Sequence, residues 1–155
     1  MNSIVPDIDW LSEMVPVSKR FDDPYFSLDN GLAETKHVFL KGNGLPARFR
    51  DGFSIAELGF GTGLNFLTTV LSWREHKCCG PLRFTSFEAF ALQPDDMTRA
   101  LLAFEELQDI ANEFAPLWSG LLTNGKIIPP DVELTLIQGD ARSQVPNWNS
   151  FADCW

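Results

Sequence analysis

The sequence predicts an α/β domain built on a parallel sheet, and three observations carry that prediction. From Ser54 onward, short β-like runs alternate with longer helical ones, the pattern of βαβ units. A glycine-rich turn, Gly59-Phe60-Gly61-Thr62-Gly63, joins the first such run to the first such helix. The chain has 155 residues, 45% hydrophobic and 21% charged, which is enough for one buried core and too little for two.

The first 50 residues stand outside the alternation. They are expected to form an extension packed on the sheet, because a segment of that size buries too little to fold alone. Within it the spacing predicts a helix from Leu32 to Leu40, with Asn30 as cap and Gly42 as stop. Ile55 to Leu58 is a compact strand. After Gly63, Leu64, Leu67, Val70, Leu71 and Arg74 recur at helical spacing, up to the breaker Cys78-Cys79-Gly80-Pro81.

Arg83 to Glu88 is the second strand. Pro94, Asp95 and Asp96 open a second helix whose buried face is Met97, Ala100, Leu101, Phe104 and Leu107. Helical character resumes from Gln108 to Trp118, with Gly120 just past its end. Asn124-Gly125 between apolar pairs predicts a hairpin, cut short by Pro129-Pro130. Glu133 to Ile137 is the third parallel strand, and Phe151 to Trp155 reads as the start of a fourth. The expectation is therefore a domain truncated there: residues 1–50 an extension, residues 51–155 the N-terminal half of the sheet domain.

Twelve Lys and Arg stand against 21 Asp and Glu, a formal charge of −9. Binding to polyanions by overall charge is excluded, so an RNA must be met by a local patch. No apolar run approaches the roughly 20 residues that span a bilayer, and the first residues lack a signal-peptide pattern, so a cytoplasmic protein is expected. Three cysteines without C-x-x-C spacing suggest neither a disulfide framework nor a metal site. His37 and His76 lie outside every motif. The acids Asp95, Asp96, Glu105, Glu106, Asp109 and Glu113 read as a solvated helix face.

The chemistry concentrates at Glu57-Leu58-Gly59-Phe60-Gly61-Thr62-Gly63. Glycines at alternate positions between a strand and a helix let the backbone turn sharply and let a ligand approach the main chain. A dinucleotide fingerprint would need glycine where Leu64 stands, and a Walker loop would need Gly-Lys-Ser or Gly-Lys-Thr. Glu57 and Glu88 end the first two strands and Asp140 follows the third, so three carboxylates fall at the carboxyl edge of one sheet, where such sheets bind ligands. That edge repels phosphate. It suits S-adenosylmethionine, which has a sulfonium, an ammonium and hydroxyl and amino donors, and no phosphate. Glu88 comes 25 residues after Gly63, close to the interval at which a strand-end acid meets a ribose.

Several segments together resemble the methyltransferase domain of the bacterial tRNA-modifying enzymes that make 5-methylaminomethyl-2-thiouridine. They are Ser18-Lys19-Arg20-Phe21-Asp22-Asp23-Pro24-Tyr25-Phe26-Ser27, Gly31 to Thr35 running on to Val38-Phe39-Leu40, Glu57 to Phe66, Ser86 to Phe90, and Gly139-Asp140-Ala141. The resemblance covers most of the chain, and the Phe-Asp-Asp-Pro-Tyr-Phe-Ser block is far more specific than the glycine turn. It implies a Rossmann-like class I fold that transfers a methyl group from S-adenosylmethionine to the primary amine of 5-aminomethyl-2-thiouridine at the wobble position. It implies a cofactor site of Glu57, Gly59, Gly61, Gly63, Asn65, Glu88 and Asp140, tRNA as partner, and a fused or separate flavin-dependent oxidase that prepares the amine. The family's catalytic aspartate follows a strand that begins like Asp153-Cys154-Trp155, so the catalytic residue is expected beyond Trp155.

For the RNA surface, Lys19 and Arg20 beside Tyr25 are the candidates, since six of the 12 basic residues lie in the first 50 positions, interleaved with aromatic rings. A different class of function, a catalytically silent cofactor-binding module, remains the alternative. A dehydrogenase ranks third because of Leu64.

Overall fold

The computed structural model describes residues 5–27 and 29–155. Its centre is a four-stranded sheet in the order β4-β5-β7-β6, made of β4 (Ser54–Leu58), β5 (Leu82–Glu88), β7 (Val132–Gln138) and β6 (Lys126–Ile127). The first three run parallel, with Ser54 opposite Arg83 and Leu82 opposite Val132, and β6 pairs antiparallel with β7. All three parallel strands fall on the segments whose periodicity marked them.

Helix α2 (Leu64–His76) returns the chain from β4 to β5. It is buried more widely than one apolar stripe, because Phe66, Thr69 and Trp73 are covered as well as Leu67 and Val70. Phe66 is the knot of the core: its ring centre lies 5.2 Å from Phe84 on β5, 5.4 Å from Phe114 on α4 (Gln108–Phe114) and 6.3 Å from Trp118 on α5 (Trp118–Asn124). Truncating such a residue to Ala costs roughly 3–5 kcal/mol. Arg74, which the spacing placed on the apolar face, instead leaves it to bond Glu113 and Asp131. Helix α3 (Pro94–Leu101) follows β5 and buries Met97, Ala100 and Leu101 as its period requires.

Four expectations are corrected. Gly120 lies inside α5, and the helix ends at Gly125, whose φ of +72° suits a left-handed cap. Asn124-Gly125 is therefore a helix stop, and the hairpin is the shorter one joining β6 to β7 through Pro129-Pro130-Asp131. The helix near residue 32 is a single α turn, α1 (Gly31–Glu34), continued by a wider π turn to Leu40 and a tight turn to Asn43, with Gly44 at φ +70° as the stop in place of Gly42; the Asn30 side chain makes no capping bond. The fourth strand is reduced to one parallel bridge, Cys154 against Ile55, on the free side of β4.

That bridge is held by β4 and by the extension. Asp153 accepts from the Ser54 N–H at 2.9 Å and pairs with Arg50, Arg48 donates to the Asp153 carbonyl at 2.9 Å, and Asn43 donates to the Trp155 carbonyl at 3.0 Å.

The N-terminal segment also folds in a way the alternation did not disclose. β1 (Ile8–Leu11), β2 (Val15–Ser18) and β3 (Asp23–Pro24) form an antiparallel sheet. It is fastened to α3 by Arg99, which sits 3.9 Å over the Trp10 ring and donates to the Glu13 carbonyl at 2.7 Å. No helix among the described residues is long and apolar enough to cross a membrane.

Candidate functional site

The carboxyl ends of β4, β5 and β7 are zipped together by main-chain bonds: Gly59 N–H donates to the Phe87 carbonyl at 2.7 Å, and Gly139 N–H to the Glu88 carbonyl at 2.9 Å. This register brings the glycine turn and the strand-end acids to one edge. Gly59 has a φ of +84°, and a Cβ there would meet nothing within 4 Å, so the main chain faces open space. Gly63 has a similar φ of +88° but is packed, since a Cβ would lie 3.2 Å from the Phe60 ring. Gly61 lies under the Tyr25 ring, 3.5 Å from where its Cβ would stand.

Glu88 binds the turn directly. One carboxylate oxygen accepts from Gly61 N–H at 3.0 Å and the other from Phe90 N–H at 2.8 Å. Glu57 is buried at 4% exposure, with one oxygen accepting from the Asn65 amide at 3.2 Å and the other without a partner among the described residues. Burial pushes its carboxyl up to about 8; Asn65 and the nearby Ser86 hydroxyl oppose the shift, and the charge of Glu88 adds to it. Ser86 is its register partner on β5, and among the described residues the Ser86 oxygen makes no hydrogen bond either. Burial thus favours the neutral acid, which can donate as well as accept.

Two clefts flank this edge. The smaller, about 180 Å³, is walled by Gly59, Gly61 and Asn65 on one side and by Tyr25, Phe26 and Glu34 on the other. Among the described residues no Lys or Arg lines it. The larger, about 470 Å³, contains Glu88, Tyr25, Arg20, Phe21 and Phe90. Tyr25 walls both, so residues of the N-terminal segment complete the pocket that the sheet begins. Half-burial raises the Tyr25 phenol above its ordinary value, with Glu88 and Asp96 adding to the effect.

The structure thus gathers Glu57, Gly59, Gly61, Asn65, Glu88 and Tyr25, and places Gly63 beneath them as packing. Asp140 follows Gly139 at the same edge, and its side chain is turned to its own helix. It caps α6 (Ala141–Gln144) through the Arg142 N–H at 2.9 Å, and the Arg142 guanidinium, followed by that N–H, holds its carboxyl down at about 2. Lys19 is occupied as well, 2.9 Å from Asp7 and 3.8 Å from Asp9. Arg20 reaches the larger cleft by lying 4.5 Å over the Phe90 ring. Phe90 and Ser86 enter the site without having been singled out; both lie in the Ser86 to Phe90 segment, and Ser86 was legible as the residue opposite Glu57 only once strand register was known. Among the described residues no three His, Cys, Asp or Glu side chains gather as a metal would require.

No protein-family model matches the sequence. Curated relatives do. The chain is 43% identical over 142 residues to the tRNA 5-methylaminomethyl-2-thiouridine biosynthesis bifunctional protein MnmC of Leptospira interrogans, a match covering 86% of this chain and 22% of that protein. It is 39% identical over 154 residues to the MnmC of Leptospira borgpetersenii, covering 94% and 24%. With the MnmC of Aeromonas salmonicida it shares 47% over 119 residues, covering 72% and 18%. The chain thus spans about a quarter or less of the relatives it matches. A crystal structure of MnmC2 from Aquifex aeolicus superposes with a TM-score of 0.68 at 20% identity, over 96% of this chain and 47% of that one, which shows a common fold. The resemblance drawn from the motifs holds: along most of its length, this chain is a relative of the MnmC bifunctional proteins.

Proposed function

We propose that residues 51–155 form the S-adenosylmethionine-binding half of a Rossmann-like class I methyltransferase, completed by residues 1–50, and that the protein acts in tRNA modification. The proposed reaction is methyl transfer to the aminomethyl group of 5-aminomethyl-2-thiouridine at the wobble position, with tRNA as partner and a flavin-dependent oxidase supplying the amine. The names of the relatives support the substrate class. The observation that carries the cofactor is the bond from Gly61 N–H to Glu88, which fixes the glycine turn, with the open face of Gly59, between a cleft lined by Gly59, Gly61 and Asn65 and the larger one that holds Glu88.

The donor set fits this cofactor. Glu88 offers a carboxylate to ribose hydroxyls while it holds the turn. The bare main chain at Gly59 and Gly61 admits close approach, and the buried Glu57, with its unpartnered oxygen and its link to Asn65, stiffens the start of α2. When bound, S-adenosylmethionine supplies a methyl group on a positively charged sulfur. The chain's own part is placement: holding the cofactor so that a neutral amine meets that methyl in line, which is where most of such rate acceleration arises.

Calorimetry with S-adenosylmethionine and with NAD tests the cofactor, and incubation with labelled S-adenosylmethionine and hypomodified tRNA tests the reaction. Binding of S-adenosylmethionine in preference to NAD is expected. Tighter binding of NAD overturns the assignment, and methyl transfer by the 155-residue chain defeats the alternative of a silent cofactor module.

A further inference from the structure

Of the aromatic side chains in the Phe21–Phe26 block, Phe26 is buried and packs on Phe104 with ring centres 4.8 Å apart, and Tyr25 is half-buried between the two clefts. Phe21 is 63% exposed. A single exposed apolar residue needs no explanation by itself, but Phe21 is not isolated. Its ring centre lies 6.2 Å from Phe90, and the Arg20 guanidinium caps the pair, 4.5 Å from the centre of Phe90 and 5.5 Å from that of Phe21. All three line the larger cleft that also holds Glu88. Among the described residues Arg20 makes no ion pair, whereas its neighbour Lys19 is taken by Asp7 and Asp9.

An exposed flat ring beside a planar cation, at the mouth of a cleft, matches an unpaired nucleotide: the base stacks on the ring and the adjoining phosphate meets the guanidinium. Asp7 and Asp23 also line this cleft. Asp7 is paired with Lys19, and among the described residues Arg20 is the basic side chain of this cleft that no acid pairs. We propose that Phe21, backed by Phe90 and flanked by Arg20, is a stacking platform for an unpaired base of the RNA substrate. This rests on the reading that the protein acts on tRNA, and it adds a recognition residue to it.

The test uses the 155-residue chain, a fluorescently labelled anticodon stem-loop RNA, a fully paired duplex of equal length, and S-adenosylmethionine. The wild-type chain should prefer the stem-loop. Phe21→Ala should weaken stem-loop binding about tenfold, Phe21→Trp should restore it, and both should keep the wild-type affinity for S-adenosylmethionine and the wild-type melting temperature. The slope of log affinity against log salt should stay unchanged in Phe21→Ala and fall by about one in Arg20→Gln. Equal stem-loop binding by Phe21→Ala overturns the platform and leaves the tRNA reading standing. A wild-type chain that binds S-adenosylmethionine but does not prefer the stem-loop overturns the tRNA reading and the platform with it. Loss of S-adenosylmethionine binding in Phe21→Ala would assign the ring to the cofactor and also overturn the proposal.

Discussion

Glu88 accepts a hydrogen bond from the main-chain N–H of Gly61 at 3.0 Å, so the acid that ends β5 is tied to the turn that ends β4. Its other oxygen restrains the following loop through Phe90 N–H. Hydrogen bonds to a charged acceptor are worth roughly 1.5–3 kcal/mol each. Glu88→Ala should therefore lower S-adenosylmethionine affinity at least about tenfold, and Glu88→Gln, with one carbonyl oxygen in place of two, should fall between. Titration calorimetry reads the difference, and an alanine variant that binds as tightly as wild type would sink the carboxylate-edge account of the site.

Glu57 gives the protein a pH signature. Its carboxyl is pushed from 4.5 up to about 8 by burial, so between those values the native state holds a proton that the unfolded chain has released. Stability therefore falls as pH rises across that window: the penalty is absent below about 4.5, complete above about 8, and on the order of 5 kcal/mol in full. Glu57→Gln keeps an acceptor for Asn65 and cannot ionise. The difference in melting temperature between the variant and wild type should grow in the variant's favour from pH 5 to pH 9; parallel curves would mean that Glu57 does not titrate in this range.

Gly59 and Gly63 share a left-handed backbone, at φ +84° and +88°, and differ in surroundings. Alanine at either should cost about 1–2 kcal/mol of backbone strain. At Gly63 the new methyl also meets Phe60, whose ring is itself packed 6.0 Å from Phe66 and Trp118, adding roughly 1–3 kcal/mol of overpacking. Gly63→Ala should thus melt well below Gly59→Ala, while Gly59→Ala, whose methyl enters the open cradle, should lose cofactor affinity out of proportion to its stability. Equal melting temperatures would contradict the packing described at Gly63.

Arg74 joins three elements, donating to Glu113 at 2.7 and 2.8 Å and to Asp131. It holds the Glu113 carboxyl below its usual range. That contribution is present at neutral pH and is lost as pH falls through the carboxylate range, and the exposure of Glu113 keeps it to about 1 kcal/mol or less. Arg74→Met should lower the melting temperature at pH 7, narrow its gap to wild type at acid pH, and leave cofactor binding unchanged. A gap that widens on acidification would contradict the pairing.

The parts of the site legible in the sequence are those written locally. Ile55 to Leu58, the glycines from Gly59 to Gly63 and the apolar spacing from Leu64 name a strand, a turn and a helix without reference to anything distant, and Glu57 and Glu88 fall at strand ends by counting along the chain. The reading of Asn124-Gly125 as a hairpin shows the limit of that method: the same pair serves a helix stop equally well, since both need a left-handed glycine, and packing of Trp118 and Leu121 into the core chose the helix.

By itself, then, the sequence determined the parallel α/β core and which residue types stand at its carboxyl edge, because periodicity, glycine geometry and residue type are properties of neighbouring positions. Tertiary structure alone decided which of those groups meet. It paired β1 to β3 into a second sheet, laid Tyr25 over Gly61, set Ser86 beside a buried Glu57, and committed Asp140 to Arg142 and Lys19 to Asp7. Strand pairing and packing join residues far apart in the chain, and a carboxylate or ammonium takes its protonation and its partner from the solvent and charge around it once folded.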